Sequence, residues 1–177
     1  FSIPVDNMYA LPIICNYLQT HYFGTMSPEA IKKKYVLVSP DNGGMKRIQA
    51  YAKELRLHHF GMHKDRDYSK SSTVLSSTLI GDGSLAKGRT ALVIDDMADT
   101  FGTALKGFEA LRKFGIDKVV MIVTHGILSG PALERIRECD ILQEVIVTNS
   151  LPQTKNVSIC DKIRVVDIAP LIGEAVK

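Results

Sequence analysis

Residues 91–114 read ALVIDDMADTFGTALKGFEALRKF, and the fold class follows from how this stretch changes character along its length. Residues 91–95 begin as an apolar run without alternation, which predicts a strand buried on both faces, as in a parallel sheet covered by helices. The run ends in Asp95 and Asp96 and passes through a polar turn containing Gly102. From residue 103 to 114 the apolar positions are spaced by three and four, the period of an amphipathic helix. Strand, acidic edge, glycine turn and helix together form one βα unit.

The same alternation extends to either side. Residues 35–39, 119–124, 145–148 and 163–167 are further short β-branched runs, and residues 8–22, 45–55, 131–138 and 168–176 carry helical spacing between them. This order predicts an α/β fold, a mostly parallel sheet flanked by helices on both faces. No repeat, low-complexity tract or Pro/Gly linker divides the chain, so residues 1–177 are expected to form a single domain. Residues 64–72 (KDRDYSKSS) are wholly polar and aperiodic, and are expected to form a mobile surface loop.

Composition narrows the function classes. A formal net charge of +3 with 23% charged residues is too mild a field to argue for nucleic acid or a membrane surface. No apolar run approaches the roughly 20 residues that span a bilayer. The cysteines at 15, 139 and 160 lie far apart without CxxC or Cys/His spacing, which reads as thiols of a reducing, cytoplasmic compartment. The chain opens at Phe1 and goes straight into Ile3-Pro4-Val5-Asp6, which reads as the interior of a longer protein.

In open parallel sheets ligands bind beyond the carboxyl ends of the strands, and two of those junctions carry unusual chemistry. After residues 91–95, Asp99-Thr100-Phe101-Gly102-Thr103 combines a glycine and two hydroxyls at a helix N-terminus, where free backbone N–H groups and the positive end of the dipole suit a phosphate monoester. Asp95 and Asp96 can accept hydrogen bonds from sugar hydroxyls or reach a metal ion. The blander alternative is that Asp99 or Thr100 caps the next helix. After residues 35–39, the turn Asp41-Asn42-Gly43-Gly44 lets backbone approach a ligand, and Asp41 is a hard oxygen donor of the kind Mg²⁺ uses beside phosphate oxygens. Here too Asp41 could simply be a cap.

VIDDMADTFGT at 93–103 resembles the phosphoribosyl pyrophosphate signature of type I phosphoribosyltransferases and, more closely, that of ribose-phosphate pyrophosphokinases. IPVDNMYA from Ile3, SPDNGG from Ser39, HKDR from His63, THGILSGPA from Thr124 and IVTNSLPQ from Ile146 extend the resemblance over essentially the whole chain. It implies a type I phosphoribosyltransferase-like fold forming the C-terminal half of a longer enzyme whose N-terminal half is absent. The implied activity is transfer of diphosphate from ATP to the anomeric hydroxyl of ribose 5-phosphate, giving phosphoribosyl pyrophosphate and AMP for nucleotide biosynthesis. The resemblance further implies that Asp95 and Asp96 hold ribose and that Asp99, Thr100, Phe101, Gly102 and Thr103 hold the 5-phosphate. Asp41, Asn42, Gly43 and Gly44 would face the pyrophosphate, with Asp41 a ligand of Mg²⁺. Lys64 would be the main catalytic residue, and Arg66 would bind the reacting phosphates. Homo-oligomers, dimers or larger, are implied as well.

Two rivals share much of this pattern. A non-catalytic regulatory associated subunit would be expected to lose the loop cations or the phosphate loop, yet Lys64, Arg66 and DTFGT are retained. A phosphoribosyltransferase that consumes the product would share VIDDMADTFGT but not IPVDNMYA or THGILSGPA.

Overall fold

The computed structural model describes residues 2–65, 76–80 and 83–176. Its centre is a seven-stranded sheet formed by β1 (Tyr35–Ser39), β2 (His59–Asp65), β3 (Ser76–Ile80), β4 (Thr90–Ala98), β5 (Lys118–Gly126), β6 (Leu142–Thr148) and β7 (Ile163–Val166). The order is β3-β2-β1-β4-β5-β6-β7; all neighbours are parallel except β3, which runs antiparallel to β2 at the edge. The helices are α1 (Leu11–Leu18), α2 (Pro28–Lys34), α3 (Met45–Leu55), α4 (Gly102–Lys113), α5 (Ala132–Glu138), α6 (Thr154–Ile159) and α7 (Ala169–Ala175).

Period-two alternation along the strands sorts the core into two layers. Val36, Val38, Ala91, Val93, Val119, Met121, Val145 and Val147 pack with Phe108 and Leu111 of α4 and Ala132 and Ile136 of α5. Their neighbours Leu37, Leu92, Ile94, Val120, Ile122 and Ile146 pack on the other face with Ile14, Cys15 and Leu18 of α1 and Ile48, Tyr51 and Ala52 of α3. Both faces are therefore covered, which is why the central strands read as continuous apolar runs.

The structure departs from the sequence reading in four places. The helix expected over residues 8–22 starts only at Leu11, with Pro12 in its first turn, and ends in a π-helical turn, Gln19–Phe23, that stops at Gly24 with φ of 51°. β2 and β3 were not read as strands, nor α2 and α6 as helices. β4 continues to Ala98 because β5 runs beside it as far as Gly126, so Asp95 and Asp96 lie within the strand rather than at its end. The polar stretch from residue 64 begins as the end of β2, where Lys64 pairs with Ser77 and Asp65 with Ser76; residues 66–72 lie outside the described residues.

All three cysteines are free, and Cys15 is buried against the sheet. Burial, helped by Glu54, pushes its thiol up to about 12. Alkylation with iodoacetamide near neutral pH is therefore expected to label the partly exposed Cys139 first and Cys15 only after denaturation, read by mass spectrometry of the digested protein.

Candidate active site between the carboxyl ends of β1 and β4

The strand order reverses direction at β1 and β4: the chain leaves β1 toward β2 and β3, then returns to the other side of β1 as β4. This is where an open parallel sheet forms a crevice. The loops following these two strands are the ones singled out by composition, and they line one cavity of about 240 Å³. Pro40 and Asp41 contribute from one side, and Asp95, Asp99, Thr100 and Thr103 from the other. Buried Met62, Met121, Phe108 and Leu111 contribute apolar lining.

The phosphate-loop candidate has a defined backbone. Phe101 adopts the left-handed region, φ 66° and ψ 0°, and forms the N-cap of α4 without a side-chain hydrogen bond to the helix. Neither Asp99 nor Thr100 caps α4, so the blander reading of these residues does not hold. Asp99 instead accepts a hydrogen bond from the Ser129 hydroxyl, and the Thr100 carbonyl accepts one from Arg135 Nη1 at 2.7 Å. Gly102 permits that approach, because a Cβ there would lie 3.2 Å from the Arg135 guanidinium. With no side chain capping them, the N–H groups of the first turn of α4 remain suited to an anion. The Phe101 ring is buried and stacks edge-on against Phe108, with centroids 5.9 Å apart.

The acidic pair is not bare. Arg47 reaches across from α3 and places Nη1 2.9 Å from Asp95 Oδ1 and Nη2 3.1 Å from Asp96 Oδ2. Backbone N–H groups complete the arrangement: that of Asp96 donates to Asp95 Oδ1 at 2.9 Å, and that of Met97 to Asp96 Oδ1 at 2.8 Å. Burial raises the pKa of the Asp95 carboxyl despite the Arg47 charge. For the more exposed Asp96 burial acts in the same upward direction, but Arg47 and the Met97 N–H outweigh it and hold the carboxyl below its usual range.

On the β1 side, Asp41 is exposed and its Oδ1 accepts the Gly44 N–H at 3.0 Å. The turn-stabilising alternative for Asp41 is thus partly realised. Ser39 donates to the Asp41 carbonyl at 2.7 Å and closes the turn from beneath. Asn42 and Gly43 are exposed beside it, while Gly44 is buried. Among the described residues no group of three or more His, Cys, Asp or Glu side chains is placed to hold a metal ion. Lys64 belongs to β2, which adjoins β1, and Arg66 lies outside the described residues. His125 at the end of β5 is engaged with the Ser150 hydroxyl at 2.9 Å, in keeping with a structural role.

Three contributors to this site escaped the sequence reading: Arg47, Ser129 and Arg135. Ser129 falls within the quoted THGILSGPA string, but nothing in its spacing announced a partner thirty residues away in Asp99.

Comparison with known proteins bears on family and fold. The family model described as phosphoribosyl synthetase-associated domain matches residues 70–177. The chain is 38% identical over all 177 residues to ribose-phosphate pyrophosphokinase A of Dictyostelium discoideum, of which it covers 51%. It superposes on the crystal structure of phosphoribosylpyrophosphate synthetase from Mycobacterium smegmatis with a TM-score of 0.79 at 34% identity, covering 99% of this chain and 52% of that one. An APRTase from Giardia lamblia, at 16% identity and TM-score 0.53 over 75% of this chain and 76% of its own, shares the fold. The chain spans about half the length of the curated relatives it matches. With the strand order, the acidic pair within β4 and the uncapped loop already in place, these matches make the chain a member of the phosphoribosyl synthetase-associated domain family with a type I phosphoribosyltransferase fold.

Proposed function

We propose that this chain forms the sugar-phosphate half of a ribose-phosphate diphosphokinase, in which the anomeric hydroxyl of ribose 5-phosphate attacks the β-phosphorus of MgATP to give phosphoribosyl pyrophosphate and AMP. One observation carries the reading: Asp95, the Asp41 turn and an uncapped helix N-terminus share one cleft at the strand-order reversal, with Asp96 beside Asp95 on the same arginine. In this reading Asp95 and Asp96 accept the ribose hydroxyls. Thr100, Thr103 and the N–H groups from Phe101 and Gly102 onward bind the 5-phosphate, while Asp99 holds the loop through Ser129. Asn42, Gly43 and Gly44 face the diphosphate.

Asp41 suits Mg²⁺ as a single exposed carboxylate, since this ion typically takes one or two protein carboxylates and fills its shell with substrate phosphates and water. When bound, Mg²⁺ would supply charge neutralisation at the phosphates. Lys64 and Arg66 would neutralise charge on the diphosphate as the bond to AMP stretches, so catalysis rests on positioning and electrostatics without a covalent enzyme intermediate. The relatives' names support the activity, and the homo-oligomeric state and cytoplasmic location belong to the same proposal. For location, no helix among the described residues is long and apolar enough to cross a membrane.

Calorimetric titration of ribose 5-phosphate in the presence of Mg²⁺ tests the site. The native chain is expected to bind, and the Asp99→Asn/Thr103→Ala variant to bind at least about 10-fold more weakly, through loss of the Thr103 hydroxyl contact and a weakened Asp99–Ser129 hold on the loop. A folded native chain that does not bind, or a variant that binds equally well, would remove the phosphate loop from the proposal and favour a non-catalytic associated subunit.

A further inference from the structure

We infer that Arg47 is the positioning residue of the sugar site, holding the Asp95 and Asp96 carboxylates aligned so that the pair discriminates among sugar phosphates by their hydroxyls. The inference rests on the sugar-phosphate reading above and deepens it. Two adjacent carboxylates repel each other and would otherwise spread their side chains or share a proton. The guanidinium is the one side-chain shape that can span both, because its planar fork offers separate N–H donors to separate acceptors at fixed spacing. Its two distances, 2.9 and 3.1 Å, show both arms engaged at once.

The reach depends on local backbone. Arg47 lies in the first turn of α3, and α3 starts close against the end of β1 because residue 44 is glycine: a Cβ there would lie 2.4 Å from Ser39 Oγ. From that position the side chain crosses to β4, so the diphosphate-side turn and the sugar-side carboxylates are joined by one ion-paired group. Each carboxylate is held twice, once by Arg47 and once by a backbone N–H. What is left to a ligand is a pair of acceptors whose direction is set before it arrives, which lowers the entropy lost on binding. Arg47 needs no contact with the sugar to act this way.

The experiment compares binding of ribose 5-phosphate, 2-deoxyribose 5-phosphate and inorganic phosphate to the native chain and to the Arg47→Gln and Arg47→Lys variants, each checked for native near-ultraviolet dichroism. The native chain is expected to prefer ribose 5-phosphate over its deoxy analogue. Arg47→Gln should weaken ribose 5-phosphate about 10-fold and bring the two sugars together, with inorganic phosphate unchanged. Arg47→Lys should recover part of the preference, since an ammonium can serve one carboxylate but not both. A merely structural Arg47 would lower all three affinities alike. A folded Arg47→Gln chain that keeps both affinity and preference, or binds ribose 5-phosphate more tightly because Arg47 competes with the sugar, overturns the inference and leaves the phosphate loop standing. A native chain that binds neither sugar overturns the sugar site and this inference with it.

Discussion

Phe101→Ala is expected to destabilise the fold by about 3–5 kcal/mol, the range for truncating a buried aromatic ring. Phe101→Gly should be less damaging than Phe101→Ala by about 1 kcal/mol, because only glycine occupies the left-handed region without the roughly 1–2 kcal/mol that a Cβ incurs there. The order is the reverse of the usual one, in which glycine is the worse substitute within regular structure. It follows from two facts about one residue: a φ of 66° at the N-cap of α4, and a ring buried edge-on against Phe108. The ring holds the loop in a conformation its own backbone disfavours. Urea unfolding of the three proteins measures both differences. An alanine variant more stable than the glycine variant would mean that the loop relaxes out of the left-handed region once the ring is gone.

The second large effect is expected at the centre of the sheet. Leu92 is fully buried in β4 and lies in register between Leu37 of β1 and Val120 of β5, beneath the layer formed by α1 and α3. With paired strands on both sides, the backbone around it has little freedom to collapse into the space a smaller side chain leaves. Leu92→Ala is therefore placed in the upper part of the observed range, about 4 kcal/mol. For a chain of this size that corresponds to a fall in Tm of roughly 10 °C. Val165→Ala on the edge strand β7, where the side chain is 38% exposed, serves as the comparison and should stay within about 0.5 kcal/mol. A Leu92→Ala melt that moves no further than that of Val165→Ala would contradict this account of the core.

The parts of the fold that were legible in the sequence are those where one physical demand dominates. β1, β4, β5 and β6 are enclosed on both faces over most of their length, and their β-branched runs have no other use; β7, half exposed at the edge, keeps the same β-branched composition. β2 escaped because HFGMHKD sets buried Phe60 and Met62 among polar neighbours, so it lacks the continuous apolar run that marks the other strands. α2 and α6 are seven and six residues long and contribute no fully buried residue, too short a span for a periodic stripe to stand out. At the site, the residues that would touch a ligand were legible because their chemistry is local: a glycine, hydroxyls and acids in a few consecutive positions. The residues that hold them were not. Arg47, Ser129 and Arg135 act on Asp95, Asp96, Asp99 and Thr100 across gaps in the chain that only the strand order closes. An arginine soon after a glycine turn reads as a surface charge until β4 is known to lie beside β1.

The adjacency of β1 and β4 also sets the cleft's place in the history of each folding chain. Every other neighbouring pair in the sheet joins strands close in sequence, such as Val120 beside Leu92 or Arg164 beside Ile146, whereas Leu37 must find Leu92 across the whole β2–β3 excursion. Closing that loop carries the largest entropy loss of any strand pairing here. The sheet is thus two locally wound ribbons, β1 with β2 and β3, and β4 through β7, sealed along a single seam, and the crevice is the upper end of that seam. A ligand touching both the Asp41 turn and the Asp99 loop would rest one end on each ribbon, and could bind tightly only to a molecule in which the two have already met.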